Sequence, residues 1–234
     1  MKEISWGFIG CGEVTEKKSG PAFNDVQGSH VEAVMCRSKE QARFYAERHR
    51  IPKWYTDAQE LIDDPAVNAI YIATPPSSHV TYAIMAMRAG KPCYVEKPLA
   101  SRYADCTRVN RISQETGVPC FVAYYRRYLP YFRKVKSLIE NQAIGKPVNV
   151  LLRFSVPPRG LDYQSQGKLS WRLNPDISGG GYFYCLLYIS DAADDLLCVE
   201  FGGRPSIQNT TGSPFFSLSL APIRRSHPIS THCL

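Results

Sequence analysis

Short apolar runs alternate with polar-rich amphipathic segments along the first half of the chain. Apolar runs bounded by turn-forming residues predict strands at residues 4–10, 31–36, 68–73, 92–95 and 118–123. Helices are predicted at residues 39–49, 56–62, 79–88 and 101–117, with Ser38 and Ser101 as candidate N-caps. Strands that alternate with helices indicate βαβ units, so residues 1–123 are predicted to form a Rossmann-type, doubly wound parallel α/β domain.

The pattern changes after residue 123. Residues 129–140 are predicted to be helical and residues 148–156 to form a long strand, so residues 124–201 are assigned to an incomplete α+β domain. Residues 202–234 are rich in Ser, Thr, Pro and Gly, contain no acidic residue, and show no sustained period of 2 or 3.6. This last segment is predicted to be a poorly ordered tail.

Composition narrows the classes of function. No apolar run is long enough to cross a bilayer, and the eight scattered cysteines contain no Cys-x-x-Cys pair, which favours a cytoplasmic protein without a membrane partner. Arg126–Arg127 lie among aromatic residues, as in some nucleic-acid-binding patches. The net charge of +7 is spread along the chain and no nucleic-acid motif accompanies it, so a solvated helix face is favoured. Neither a nucleic-acid partner nor a metal site is predicted.

The first strand leads into a glycine-rich turn. Gly10 permits a tight turn, and Gly12 lets the backbone approach a pyrophosphate at the start of the next helix, together with Glu13 and Val14. Thr15 stands where the dinucleotide fingerprint has its third glycine. Gly-x-Gly also occurs in ordinary turns, but its place after the first strand of a βαβ series favours dinucleotide binding.

The end of the second strand indicates which dinucleotide is used. An acidic residue there would bind the ribose 2′-OH of NAD, and this chain has Arg37 and Ser38 instead. Both side chains suit a 2′-phosphate, so NADP is favoured over NAD. The alternative is that Arg37 is a surface residue and Ser38 only a helix cap.

Two further strand ends carry candidate residues. Thr74 and Pro75 are predicted to form a rigid wall beside the cofactor, whereas His79 is expected to cap the next helix or face solvent in preference to a catalytic role. His79, Glu96 and Lys97 are also candidates for contact with the cofactor. Lys97 lies between Glu96 and a proline, and partial burial near a nicotinamide would lower its pKa toward a useful range. Lys97 is therefore the candidate catalytic proton donor or acceptor, oriented by Glu96; the alternative is a surface lysine in a turn.

Together these motifs resemble the glucose–fructose oxidoreductase / inositol dehydrogenase / rhizopine-catabolism family (Gfo/Idh/MocA). The resemblance covers about residues 4–184 and rests on the glycine turn, Thr74–Pro75 with His79, Glu96–Lys97, the segment 121–130 and the glycines 179–181. It implies a Rossmann domain followed by an open-sheet domain that forms the substrate pocket and a homo-oligomer contact. It also implies NAD(P)-dependent oxidation or reduction of a sugar, polyol or related diol, with Lys97 at the position of the catalytic lysine.

The chain departs from the family pattern in its second half. Tyr125 stands where the family often has Asn, and Cys185, Ile189 and Ala192 stand where an Asp–His–Asp pattern would be. The histidine that would partner the lysine is thus replaced, and much of the expected second sheet and its oligomer contact has no counterpart. The sequence therefore predicts an oxidoreductase with impaired activity, or alternatively a non-catalytic dinucleotide-binding sensor or partner subunit. A second alternative is a chain that neither folds well nor acts, because its second domain is cut short.

Overall fold

A computed structural model describes residues 3–148, 153–154, 174–178 and 216–217 of the chain. Six parallel strands form one sheet in the order β3-β2-β1-β4-β5-β6, which confirms the predicted Rossmann-type fold. The strands are β1 (Ile4–Ile9), β2 (Ser29–Met35), β3 (Lys53–Tyr55), β4 (Ala69–Ile72), β5 (Cys93–Val95) and β6 (Cys120–Val122). Sequence reasoning missed β3, a three-residue edge strand.

Helices cover both faces of this sheet. They are α1 (Glu13–Lys17), α2 (Gly20–Asp25), α3 (Lys39–His49), α4 (Ala58–Asp63), α5 (Pro76–Arg88), α6 (Tyr103–Thr116), α7 (Pro130–Glu140) and α8 (Pro175–Ser178). A 3₁₀ turn, Tyr125–Tyr128, precedes α7. Among the described residues, no helix combines the length and the apolar character that crossing a bilayer requires.

Local chemistry explains where the helices begin and end. The side chain of Ser38 accepts a hydrogen bond from the Gln41 N–H at 3.4 Å, which confirms it as the cap of α3. Helix α5 begins earlier than predicted, at Pro76, because a proline in the first turn has no N–H that needs a partner. Ser101 is not a cap, since α6 begins after Arg102, while Gly117 at a φ of 68° ends that helix as expected.

The sheet separates two apolar clusters because successive strand residues face opposite sides. On one side Ile70 and Ile72 of β4 pack with Ile9 and with residues of α4, α5 and α6. On the other side Tyr71 packs with Phe8 and with residues of β2 and α3. Strand β4 is buried along its whole length, so it forms the centre of the fold.

Little of the chain after α7 is described. Strand β7 (Arg153–Phe154) pairs antiparallel with β8 (Phe216–Ser217), so two residues of the predicted tail take part in a short ladder. The rest of the predicted strand at 148–156, apart from Val148, and the rest of the tail lie outside the described residues. The positions of Cys185, Ile189 and Ala192 also lie outside them.

Candidate active site

The two glycines of the turn after β1 are required for different reasons. Gly10 has a φ of 114°, and a Cβ there would lie 2.8 Å from the carbonyl oxygen of Ala73. Because of this φ and this close approach, the fold itself requires a glycine here, and its N–H donates to the Met35 carbonyl at 2.9 Å. Gly12 is exposed, and a Cβ there would meet no atom within 4 Å. The open space over Gly12 would let a ligand approach its backbone.

Thr15, at the third position of the fingerprint, stabilises the turn from inside. It is fully buried, and its hydroxyl donates to the Gly12 carbonyl at 2.9 Å. The close approach between chain segments occurs instead at Gly20, where a Cβ would overlap the Thr15 carbonyl. Gly20 therefore has a packing role that sequence reasoning did not identify. Glu13 is exposed and Val14 half-buried at the start of α1.

The ends of β1 and β2 meet beside this turn. Arg37 is exposed, and Ser38 is half-buried and engaged in capping α3. Beside them the thiol of Cys11 lies 3.7 Å from the Met35 carbonyl and in contact with the thiol of Cys36. Burial and the neighbouring thiol of Cys36 raise the pKa of Cys11 well above its usual value, so Cys11 stays protonated.

His79 differs from its expected place at the surface. It is 1% exposed, and its ring joins two loops: Nε2 lies 2.7 Å from the Thr74 carbonyl and Nδ1 lies 2.8 Å from the Pro98 carbonyl. Burial lowers the pKa of His79, although the two carbonyls act in the opposite direction. Because both ring nitrogens face backbone oxygens, the geometry suits support of the loops, and its predicted cofactor contact stays untested. Pro75 lies directly before α5, and Thr74 Oγ1 accepts a hydrogen bond from Ser78 at 2.8 Å.

The Glu96–Lys97 motif directly follows β5. The Glu96 N–H donates to the Ile72 carbonyl at 2.9 Å, and Lys97 is half-buried with a cis peptide bond to Pro98. The hydroxyl of Tyr71 lies 2.6 Å from Glu96 Oε1. Burial raises the pKa of Glu96, while the Tyr71 hydrogen bond and the charge of Lys97 oppose the rise.

The order of the strands brings the predicted residues together at the carboxyl-terminal end of the sheet. Strands β2, β1, β4 and β5 are neighbours in the sheet, and the candidates follow their carboxyl ends. In open α/β sheets this end is where ligands bind. In the described part of the chain, no cluster of three or more His, Cys, Asp or Glu side chains forms a metal site.

A family model described as "Oxidoreductase family, NAD-binding Rossmann fold" (GFO_IDH_MocA) matches residues 4–124, which is more than half of the chain. This chain belongs to the Gfo/Idh/MocA family. It is 39% identical over 205 residues to an oxidoreductase of Formosa agariphila, covering 88% of this chain and 63% of that protein. It is 31% identical over 146 residues to scyllo-inositol 2-dehydrogenase (NAD(+)) of Bacillus subtilis, covering 62% of this chain and 43% of that one. The chain thus spans less than two thirds of the length of these relatives.

Solved structures agree with this Gfo/Idh/MocA assignment. One is a 3-ketoreductase mutant from Actinomadura kijaniata in complex with TDP-benzene and NADP, at 25% identity and a TM-score of 0.65. The match covers 77% of this chain and 53% of that one. The descriptions of matched proteins name both cofactors, since the Bacillus subtilis relative is named for NAD and the Actinomadura kijaniata structure contains NADP. Family membership therefore leaves the choice of nicotinamide cofactor open.

Sequence reasoning missed two residues whose hydroxyl groups connect to Glu96. Tyr71 lies in the middle of β4 and was assigned only to the apolar strand, yet its hydroxyl contacts Glu96. Ser19, at the start of α2, lies 2.6 Å from the same hydroxyl. The signal was the tyrosine itself, because the hydroxyl of a buried tyrosine usually finds a hydrogen-bond partner.

Proposed function

We propose that this chain binds NADP in preference to NAD and belongs to an oxidoreductase that acts on a sugar, polyol or related diol. The observation that carries the proposal is the open space over Gly12. It lies at the carboxyl-terminal end of the sheet, where Glu96 and Lys97 also lie. Gly10 is fully accounted for by contacts inside the protein, whereas Gly12 is not. A pyrophosphate over the backbone of Gly12, near Glu13 and Val14, accounts for it.

The preference for NADP rests on the end of β2. Arg37 is exposed, and no hydrogen bond or ion pair engages it among the described residues, so its guanidinium is available to a 2′-phosphate. The Ser38 oxygen accepts a hydrogen bond from Gln41, which leaves the Ser38 proton free for donation to that phosphate. Capping of α3 by Ser38 is therefore compatible with donation from its hydroxyl to a phosphate.

In the proposed reaction, a nicotinamide cofactor would supply or accept the hydride when it is bound. Lys97 would hold or release the proton of the substrate hydroxyl at its Nζ, and Glu96 would set the local charge. His79 would keep the two loops that carry Thr74 and Pro98 at a fixed separation. The substrate contacts and any homo-oligomer contact are proposed for residues 124–201, and the compartment is proposed to be the cytoplasm.

A second candidate is a non-catalytic dinucleotide-binding sensor or partner subunit. It is favoured by Ile189, which stands where the family histidine would assist the lysine, and by Cys185 and Ala192 beside it. This alternative keeps the dinucleotide site and removes turnover.

Two measurements separate these candidates. Titration of the chain with NADPH and NADH, followed by nicotinamide fluorescence, tests the shared dinucleotide site. Turnover with NADP⁺ on a panel of sugars, polyols and diols then separates the enzyme from the sensor. Absence of NADPH binding at millimolar concentration would reject both candidates, and binding without turnover on any panel member would favour the sensor.

A further inference from the structure

Three oxygen-bearing side chains, those of Ser19, Tyr71 and Glu96, form a hydrogen-bond network beside the candidate site. The hydroxyl of Tyr71 lies 2.6 Å from Glu96 Oε1 and 2.6 Å from Ser19 Oγ. Ser19 Oγ lies 3.2 Å from the Val14 carbonyl, in the helix that begins at the glycine turn. The hydrogen-bond network therefore connects the Glu96–Lys97 motif to the helix that follows the turn at Gly12.

Packing fixes Tyr71, the central residue of this hydrogen-bond network. Tyr71 is fully buried, and its ring contacts Phe8, Phe23 and Tyr94 at centroid distances of 5.0, 4.7 and 5.8 Å. These rings leave the hydroxyl at the edge of the cluster, where Ser19 and Glu96 meet it. A buried hydroxyl with two partners is held far more firmly than one that faces solvent.

Each hydroxyl proton of Tyr71 and Ser19 keeps an acceptor in either protonation state of Glu96. When Glu96 is ionised, Tyr71 donates to it and Ser19 donates to Tyr71. When Glu96 is protonated, the directions reverse: Glu96 donates to Tyr71, Tyr71 to Ser19, and Ser19 to the Val14 carbonyl. Glu96 can therefore gain or lose a proton without leaving a buried donor unpaired, which suits a carboxyl next to a group that transfers protons.

We propose that Tyr71, supported by Ser19, is a positioning residue that holds the Glu96 carboxyl and thereby sets the charge beside Lys97. The groups that face this carboxyl are Tyr71 from β4, Tyr94 from β5, Lys97 beside it, and Lys18 from the end of α1. Of these groups, Tyr71 is the neutral one whose hydroxyl donates a hydrogen bond to the carboxyl. This hydrogen bond is stronger when the carboxyl is ionised than when it is protonated. The importance of this arrangement for catalysis rests on the proposed function of Lys97. The hydrogen bonds among Ser19, Tyr71 and Glu96 are independent of that function.

The test is the titration of Glu96 in the full chain, followed by NMR of ¹³C-labelled glutamate carboxyls and assigned with Glu96→Gln. Tyr71→Phe keeps the ring packing and removes the donor to the ionised form, so the proton affinity of Glu96 should rise about tenfold. Ser19→Ala should move the Glu96 titration in the same direction by a smaller amount. The rate of Lys97 acylation, measured by peptide mass spectrometry, should rise both in Tyr71→Phe and in Glu96→Gln.

A matched control lies elsewhere in the same domain. Tyr55 donates to a carboxylate oxygen of Asp64 at 3.0 Å, so Tyr55→Phe removes a bond of the same kind. It should lower stability to a similar extent and leave Glu96 and Lys97 unchanged. An unshifted Glu96 titration in Tyr71→Phe would overturn the proposal, and so would an equal shift in Tyr55→Phe. If Tyr71→Phe does not fold, Ser19→Ala decides the question by the same titration.

No step of this test contains a dinucleotide. A chain that fails to bind NADPH but shows the expected shifts would reject the proposed function and keep the positioning role. Normal NADPH binding without a shift in the Glu96 titration would reject the positioning role and leave the proposed dinucleotide site standing.

Discussion

Replacing each glycine of the turn by alanine should separate folding from binding. At Gly10 the alanine must adopt a φ of 114°, and its Cβ would lie 2.8 Å from the Ala73 carbonyl oxygen. Backbone strain of this kind costs about 1–3 kcal/mol. For a protein of this size the melting temperature should fall by roughly 2–12 °C.

Gly12→Ala is the matched variant. Gly12 has a φ of −97° and a ψ of −179°, which alanine adopts readily, and its Cβ meets nothing within 4 Å. The free energy of unfolding should stay within about 0.5 kcal/mol of the wild-type value. The methyl group would instead keep a pyrophosphate away from the backbone N–H groups. Losing contacts of that kind costs about 1.5–3 kcal/mol, which corresponds to a roughly 10- to 150-fold weaker affinity for NADPH.

Thermal unfolding by circular dichroism and titration by nicotinamide fluorescence measure the two effects on the same samples. The reasoning would be wrong if Gly12→Ala bound NADPH as tightly as the wild type, because the open space would then not face the ligand. It would also fail if Gly10→Ala melted at the wild-type temperature.

Three further outcomes are expected. Arg37→Ala should weaken NADPH binding by about 1–3 kcal/mol and leave NADH binding unchanged, as fluorescence titration would show; equal losses for both cofactors would contradict the 2′-phosphate contact. Burial alone would raise the pKa of Asp64, but hydrogen bonds from Lys53, the Ala66 N–H and Tyr55 outweigh it and lower that pKa. Stability from Asp64 is therefore fully present above about pH 4 and lost as the pH falls through the lower folded-state value, so Asp64→Asn should flatten the acid limb of chemical unfolding curves. If the chain oxidises a sugar or polyol, Lys97→Ala should lower kcat by about 10²- to 10⁴-fold, and a kcat within a few-fold of wild type would exclude proton transfer by Lys97.

The sheet could be predicted because the buried stretches of its strands are mostly apolar. Strand β4 is fully buried, so its sequence needs no polar position. The edge strand β3 was missed because Lys53–Tyr55 has three residues, all half-buried, and shows too little of either period. Its backbone pairs with β2, and its side chains add to this, since Lys53 and Tyr55 both donate to Asp64.

The candidate site could be predicted only where a residue type carries its own constraint. Gly10 stands out because few other residues adopt its turn conformation, Gly12 because a ligand can approach a backbone without a side chain, and Lys97 because of its neighbours in sequence. The partners of Tyr71 could not be found in this way, since Ser19 is 52 positions and Glu96 is 25 positions away along the chain. The burial of His79 was missed because a polar residue near a helix start usually faces solvent.

The His79 ring has a consequence for protein engineering. It joins the loop after β4 to the loop after β5 through backbone carbonyls, so neither loop can be exchanged alone without leaving one ring nitrogen facing a displaced oxygen. Transplanting a single loop from another protein would disturb its neighbour even if every new side chain suited the substrate. The segment from Thr74 to Pro98 is therefore the smallest module for recombination, with His79 carried inside it.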